Sequence, residues 1–137
     1  MLSDHFSEDE MRCPCGCGIY TVTQDLIAGL EDLRRYINQQ IIVTSGHRCP
    51  GHDKAVGGSG SGPHTLGMAA DIYSPNMSMA DLWKAIEACQ GGYWWGQGAY
   101  PDNGNFIHVD VSHIRYARWV QVKGKYIYLF QSGQSLT

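Results

Sequence analysis

The sequence predicts a small α+β domain, an antiparallel sheet with helices packed on it. Apolar residues at three- and four-residue spacing mark helices, short β-branched or alternating runs mark strands, and glycine-rich or Asn-Gly turns separate them. The first helix covers residues 23–39. Leu26, Ile27, Leu30, Leu33 and Ile37 form its apolar stripe, Thr23 is its N-cap, and Glu31, Asp32, Arg34 and Arg35 take the solvated side. Ile41, Ile42, Val43 and Thr44 form a buried strand that delivers Ser45-Gly46-His47-Arg48 to its end, where loops carry function. Residues 51–56 read as a short helix or turn, and Asp71-Ile72-Tyr73 as a short strand. Ser78 to Asp81 is a capping-box-like start for a helix whose Leu82, Ala85, Ile86 and Cys89 face inward, ended by Gly91-Gly92. Residues 93–100 read as an aromatic strand interrupted by Gly96 and Gly98, Asp102-Asn103-Gly104 as a turn, and 106–111 as a strand. Residues 120–131 read as a terminal β-hairpin around Lys123-Gly124-Lys125, a half-buried sheet edge.

At 137 residues the chain suits one domain, 1–137, large enough to bury its own core without disulfide staples. A net charge of −3 leaves no basic footprint, which argues against nucleic acid as a main partner. No apolar run is long enough for membrane insertion, and the start lacks a basic segment followed by an apolar one. Synthesis in the cytoplasm and a monomeric state are the expectations. The stretch Gly57-Gly58-Ser59-Gly60-Ser61-Gly62 would read as a flexible linker on its own, but directly before His64 it is expected to lay its backbone close to a site.

Five cysteines, an odd number, argue against a fully paired disulfide framework. Cys13, Cys15, Cys17 and the distant Cys49 could supply four thiolates to a structural zinc, although alternate-residue spacing suits a tetrahedral site less well than Cys-x-x-Cys. Reduced thiols, or a disulfide formed after export, are the other readings. Cys89 reads as a small core residue.

The chemistry concentrates in Gly62-Pro63-His64-Thr65-Leu66-Gly67-Met68-Ala69-Ala70-Asp71. His64 and Asp71 can share a metal only if the backbone reverses between them, and Gly67 permits that reversal. In the strand around His108, alternation puts His108 and Asp110 on one face and Ile107 and Val109 on the other. His64, Asp71 and His108 then make a two-His, one-carboxylate set with a position left for water, the composition of a catalytic zinc site. His5, His47, His52 and His113 lack such a context and read as structural.

These residues resemble the zinc D-Ala-D-Ala peptidase family, murein metallopeptidases related to lysostaphin and the hedgehog domain. The resemblance extends to Thr44-Ser45-Gly46-His47-Arg48-Cys49-Pro50, Ala55-Val56-Gly57-Gly58, Gly98-Ala99-Tyr100-Pro101 and Ala117-Arg118-Trp119, covering roughly residues 5–119. It implies a hedgehog-like fold, one catalytic Zn²⁺ on His64, Asp71 and His108, and substrate binding by Arg48 and Tyr100. Arg48 would also hold a developing oxyanion. The implied substrate is a peptide of bacterial peptidoglycan, cut by a carboxypeptidase or endopeptidase. The enzyme would be a phage-type endolysin acting after release, or would act on wall fragments in the cytoplasm.

Two positions depart from the family's pattern. Many members carry Glu or Asp three residues before the third ligand, where this chain has Asn105, so Asp110 is expected to serve as general base or else to orient an imidazole. His113 and Asp102 are lesser candidates for the base. Gly62 replaces a serine two residues before the first ligand, a place Ser61 would fill only after a local shift. The missing acid at position 105 keeps a second reading open, a zinc-stabilised binding module without catalysis.

Overall fold

The computed structural model describes residues 2–17, 20–89, 94–113 and 116–131. Its elements in chain order are α1 (Glu8–Met11), α2 (Gln24–Ile37), β1 (Ile42–Ser45), α3 (Pro50–Ala55), β2 (Ala69–Tyr73), α4 (Met79–Ala88), β3 (Gly96–Tyr100), β4 (Phe106–Asp110), β5 (Ala117–Val122) and β6 (Lys125–Gln131). The six strands form one sheet in the order β1-β2-β4-β3-β5-β6. The α+β class holds, but the sheet is mixed, because β3 and β5 pair in parallel while every other pair is antiparallel. After β4 the chain re-enters the sheet on the far side of β3, at the end where β4 finished, and must run in the direction of β3. A connection this short ordinarily means a hairpin, so the sequence pattern carried no sign of it.

One face of the sheet is the core. Ala70 and Ile72 of β2 and Ile107 and Val109 of β4 pack with Leu26, Leu30 and Leu33 of α2, with Leu82 and Ile86 of α4, and with Phe6, Met11 and Trp94. Thr23 caps α2 by accepting from the Leu26 amide, and Ser78 caps α4 by accepting from the Asp81 amide. Gly91, Gly92 and Tyr93 lie outside the described residues, and α4 already ends at Ala88, with β3 beginning at Gly96.

Several expectations are corrected. Glu31 is buried, not solvated, because residues 3–5 fold over α2. Its carboxylate accepts from Ser3 Oγ and from the His5 amide, and pairs with His5 Nδ1 at 2.8 Å. The strand expected at 41–44 runs from Ile42 to Ser45 and is half-buried, since it lies at the sheet edge. The terminal hairpin forms, but Ile127 and Leu129 are more than half exposed, because the cluster of core side chains does not extend beneath β6. Helix α1 was unforeseen. Its signal is the capping box Ser7-Glu8-Asp9-Glu10, in which the Ser7 hydroxyl accepts from the Glu10 amide and the Glu10 carboxylate from the Ser7 amide.

The other face of the sheet is open and its register defines a row. Ser45 pairs with Asp71, Asp71 with His108, His108 with Gly98, Gly98 with Trp119, and Trp119 with Tyr128. Side chains in one row of paired residues share a face. Gly98 lets the Trp119 ring lean across β3 to within 5.5 Å of the His108 ring, centroid to centroid. A Cβ at Gly98 would overlap the Trp119 indole. We therefore expect Gly98→Ala to destabilise the fold by about 1–3 kcal/mol through overpacking. It should also shift Trp119 fluorescence, which urea unfolding followed by emission would record.

Candidate metal centre

Asp71 lies on β2 and His108 directly opposite on β4. His64 arrives from the loop before β2, where Thr65 donates to Gly62 O, and Leu66 and Met68 both donate to Pro63 O. Gly67 completes the reversal at φ +72°, and a Cβ there would strike the Thr21 backbone. Only glycine combines that dihedral with that approach. The result matches the sequence expectation. His64 Nε2 is 3.3 Å and His108 Nδ1 is 3.2 Å from the same atom, Asp71 Oδ1.

The opposite nitrogen of each ring sets its tautomer. His64 Nδ1 donates to the Gly46 carbonyl at 2.8 Å, and His108 Nε2 donates to Asp110 Oδ2 at 2.8 Å. In the neutral rings, His64 Nε2 and His108 Nδ1 are consequently bare lone pairs, and both face a carboxylate oxygen. Lone pairs that converge this way repel unless a cation lies among them. Two imidazole nitrogens and a carboxylate oxygen, backed by a carbonyl and a second carboxylate, fit a catalytic zinc ion.

The protonation of the metal-free site follows from the same contacts. Burial alone would raise the Asp71 carboxyl, but hydrogen bonds and charge from His108 and His64 hold it well below the usual carboxylate range. Burial alone would lower the His108 imidazolium, yet the hydrogen bonds it donates to Asp110 and Asp71 carry it from an ordinary 6.5 up to about 9. Asp110 is likewise held low against its burial, by its bond to His108 and then by Ser112.

Arg48 braces the other side of Asp71. Its Nη2 donates to Asp71 Oδ2 at 3.1 Å, its Nη1 to Asp53 Oδ1 at 3.0 Å and its Nε to Ser45 Oγ at 3.0 Å. These contacts use three of the five guanidinium N–H groups. Asp53, which the sequence reading did not single out, also accepts from the Gly60 amide at 2.9 Å, and a Cβ at Gly58 would overlap its carboxylate. The glycine-rich segment is therefore a loop fastened beside the site, as its position before His64 suggested. Asp53 carried no motif of its own. The glycines at 58 and 60 were the available sign that a backbone approaches another group closely.

These residues line one cleft of about 700 Å³. The loop of Gly57, Gly58 and Ser59 forms one wall, and Tyr100, Phe106, Trp119, Gln121, Tyr126 and Tyr128 form the other. Tyr100 accepts from Trp119 Nε1 at 3.0 Å, and burial raises its phenol, so it stays neutral and able to donate.

Asp110 does not face the cleft. It holds the far edge of His108, and its Oδ1 accepts from Ser112 N, Ser112 Oγ and Gly96 N. Of the two roles expected for Asp110, that contact is the one an imidazole-orienting carboxylate makes. Among the described residues, Asp53 and Asp71 are the carboxylates that line the cleft. Asn105 sits exposed in a left-handed turn at φ +54° and borders a small pocket beside Ile72, Leu82 and Ile107. It is not among the residues that line the cleft. His113 stacks on Trp95 with centroids 4.6 Å apart, Asp102 accepts from the Lys123 amide, and buried His47 accepts from the Thr21 amide.

A mixed sheet with two imidazoles and a carboxylate gathered over its open face is the framework of a metal-binding protein. The Peptidase M15 family model matches residues 4–110, and the chain belongs to that family of zinc-using metallopeptidases. No curated protein matches the chain. The match ends at Asp110, so β5 and β6, with the aromatic wall they contribute, lie beyond it.

Two outcomes follow from the geometry. Asp110→Asn should weaken zinc binding about 10–100-fold in chelator competition, the usual cost of losing an imidazole's carboxylate partner. Unchanged metal affinity with lost activity would restore Asp110 as the base. In metal-free protein, the raised His108 pKa contributes stability that is complete below pH 6.5 and is lost as pH rises through about 9. Thermal melts of chelator-treated parent should therefore fall relative to His108→Gln across that window. Zinc affinity should rise over the same range, because binding displaces the His108 proton.

Proposed function

We propose that the protein is a zinc-dependent peptidase that hydrolyses peptide bonds in the stem peptides of bacterial peptidoglycan, as a carboxypeptidase or endopeptidase of the phage-lysin type. The observation that carries the reading is the convergence of His64 Nε2 and His108 Nδ1 on Asp71 Oδ1, with the opposite nitrogen of each ring engaged elsewhere. When bound, zinc supplies a Lewis acid and a water whose pKa drops from about 16 towards about 7.

The chain's own residues do the rest. Asp110 keeps His108 in the tautomer that leaves Nδ1 bare. Arg48 fixes Asp71 through one arm of its fork and offers its remaining N–H groups to a peptide carboxylate or to the oxyanion that forms on the scissile carbonyl. Stem peptides carry free carboxylates, which suits an arginine set beside the reacting position. Tyr100 and Trp119 supply a rigid wall against which an extended peptide is oriented. The binding-module alternative rests on Asn105, which stands where many members of the family carry an acid, and product release separates the two readings.

The test is product release from purified wall, read together with circular dichroism to confirm folding. Zinc-loaded parent should release peptides, and His64→Ala should release none. Arg48→Lys should lose about 10²–10³-fold in kcat, the typical loss on removing an oxyanion donor. Parent protein that binds zinc and releases nothing from any wall would favour the binding module.

A further inference from the structure

Outside the cleft, four sulfur atoms meet at the base of the loop that carries Arg48. We propose that Cys13, Cys15, Cys17 and Cys49 hold a second divalent ion, zinc by donor chemistry, in a structural site that fastens the N-terminal segment to this loop.

The four Sγ atoms lie within 4.8 Å of one another. Cys15 Sγ is 3.4 Å from Cys13 Sγ and 3.5 Å from Cys49 Sγ. Thiolates at about 2.3 Å from a tetrahedral zinc are about 3.8 Å apart, so adjustments of about 1 Å or less in each separation form the site. Alternate-residue spacing suits a tetrahedral site poorly in an extended chain, which would hold Cys13, Cys15 and Cys17 on one side but in a line, with Cα atoms roughly 6.6 Å apart at each step. Gly16, at φ +92°, turns the chain between Cys15 and Cys17 and breaks that line. The Cys49 amide donates to Cys13 Sγ at 3.3 Å, a contact that stabilises sulfur as thiolate.

A disulfide explains the arrangement less well. Cys15 stands between two partners at nearly equal distance, whereas a bridge commits each sulfur to one partner at about 2.05 Å. The segment also needs an anchor. Of residues 12–17, Cys13 alone is buried, while Pro14, Cys15, Gly16 and Cys17 are exposed and bring no apolar packing. A metal supplies the fixed geometry that a core would otherwise give. The anchored strap bears directly on the cleft. His47 donates to Met11 O at 2.8 Å, a Cβ at Gly46 would overlap the Met11 backbone, and Gly46 O is the acceptor that sets the His64 tautomer. The cysteine site therefore positions the loop that bears Gly46 and Arg48, without itself touching substrate.

The proposal stands apart from the peptidase reading, because its test needs no turnover. Reduced, metal-stripped full-length parent and His64→Ala are titrated with Co²⁺ and followed by absorption. We expect an intense near-ultraviolet sulfur-to-cobalt band that saturates at one equivalent in His64→Ala and is displaced by Zn²⁺. Cys15→Ser combined with Cys17→Ser should abolish the band, while Cys89→Ser should keep it. No sulfur band in reduced parent and His64→Ala would overturn the site. So would an intact mass showing the purified protein as metal-free disulfides. Because the band is read on chains that retain all four cysteines, a serine variant that fails to fold leaves the test intact.

Discussion

The buried carboxylate of Asp71 is divided between two kinds of partner, and the cleft is arranged around that division. Its Oδ2 takes a guanidinium N–H from Arg48, while its Oδ1 faces two imidazole nitrogens. A carboxylate removed from water without compensation costs several kcal/mol, and Arg48 offsets that on one side alone. The other side calls for a cation. In metal-free protein the proton on His108 meets that requirement, which is why its pKa rises despite burial. A metal ion meets it better, since it satisfies both rings at once. The groups behind the rings, Gly46 O and Asp110, leave each imidazole a single way to present its lone pair.

The sheet turns this local chemistry into a cleft. Alternation along β2 and β4 sends Ala70, Ile72, Ile107 and Val109 into the helices and Asp71 and His108 the other way. The same strands thus supply the core and the site, and a one-residue slip in register would exchange them. Glycines on β3 extend the row. Gly96 leaves room for the Asp110 carboxylate, and Gly98 for the Trp119 indole, so that a residue two strands away borders the centre. Asp53 plays the matching part on the opposite wall, holding the glycine loop by the Gly60 amide and Arg48 by its Nη1.

Much of this was legible in the sequence, for definite reasons. The α2 stripe, the Thr23 and Ser78 caps and the β4 alternation are local patterns that the tertiary fold does not override. His64, Asp71 and Gly67 were legible because a turn needing positive φ separates two potential ligands. What escaped was non-local. The burial of Glu31 depends on residues 3–5 folding over α2, and the parallel β3/β5 pair depends on which side of β3 the chain re-enters. The role of Asp110 turned on which edge of an imidazole it meets, a matter that alternation leaves open. Asn105 occupies a left-handed turn just before β4 and does not line the cleft, a placement that its position in the motif does not disclose.

The central claim is that His64 Nε2, Asp71 Oδ1 and His108 Nδ1 together bind one metal ion. Anomalous diffraction at the zinc edge from crystals of the zinc-loaded protein tests it most directly. The account predicts a peak bonded to those three atoms, with Asp71 Oδ2 still on Arg48 and His108 Nε2 still on Asp110. A map with no peak there, or with zinc bound through the opposite nitrogen of either ring, would contradict it.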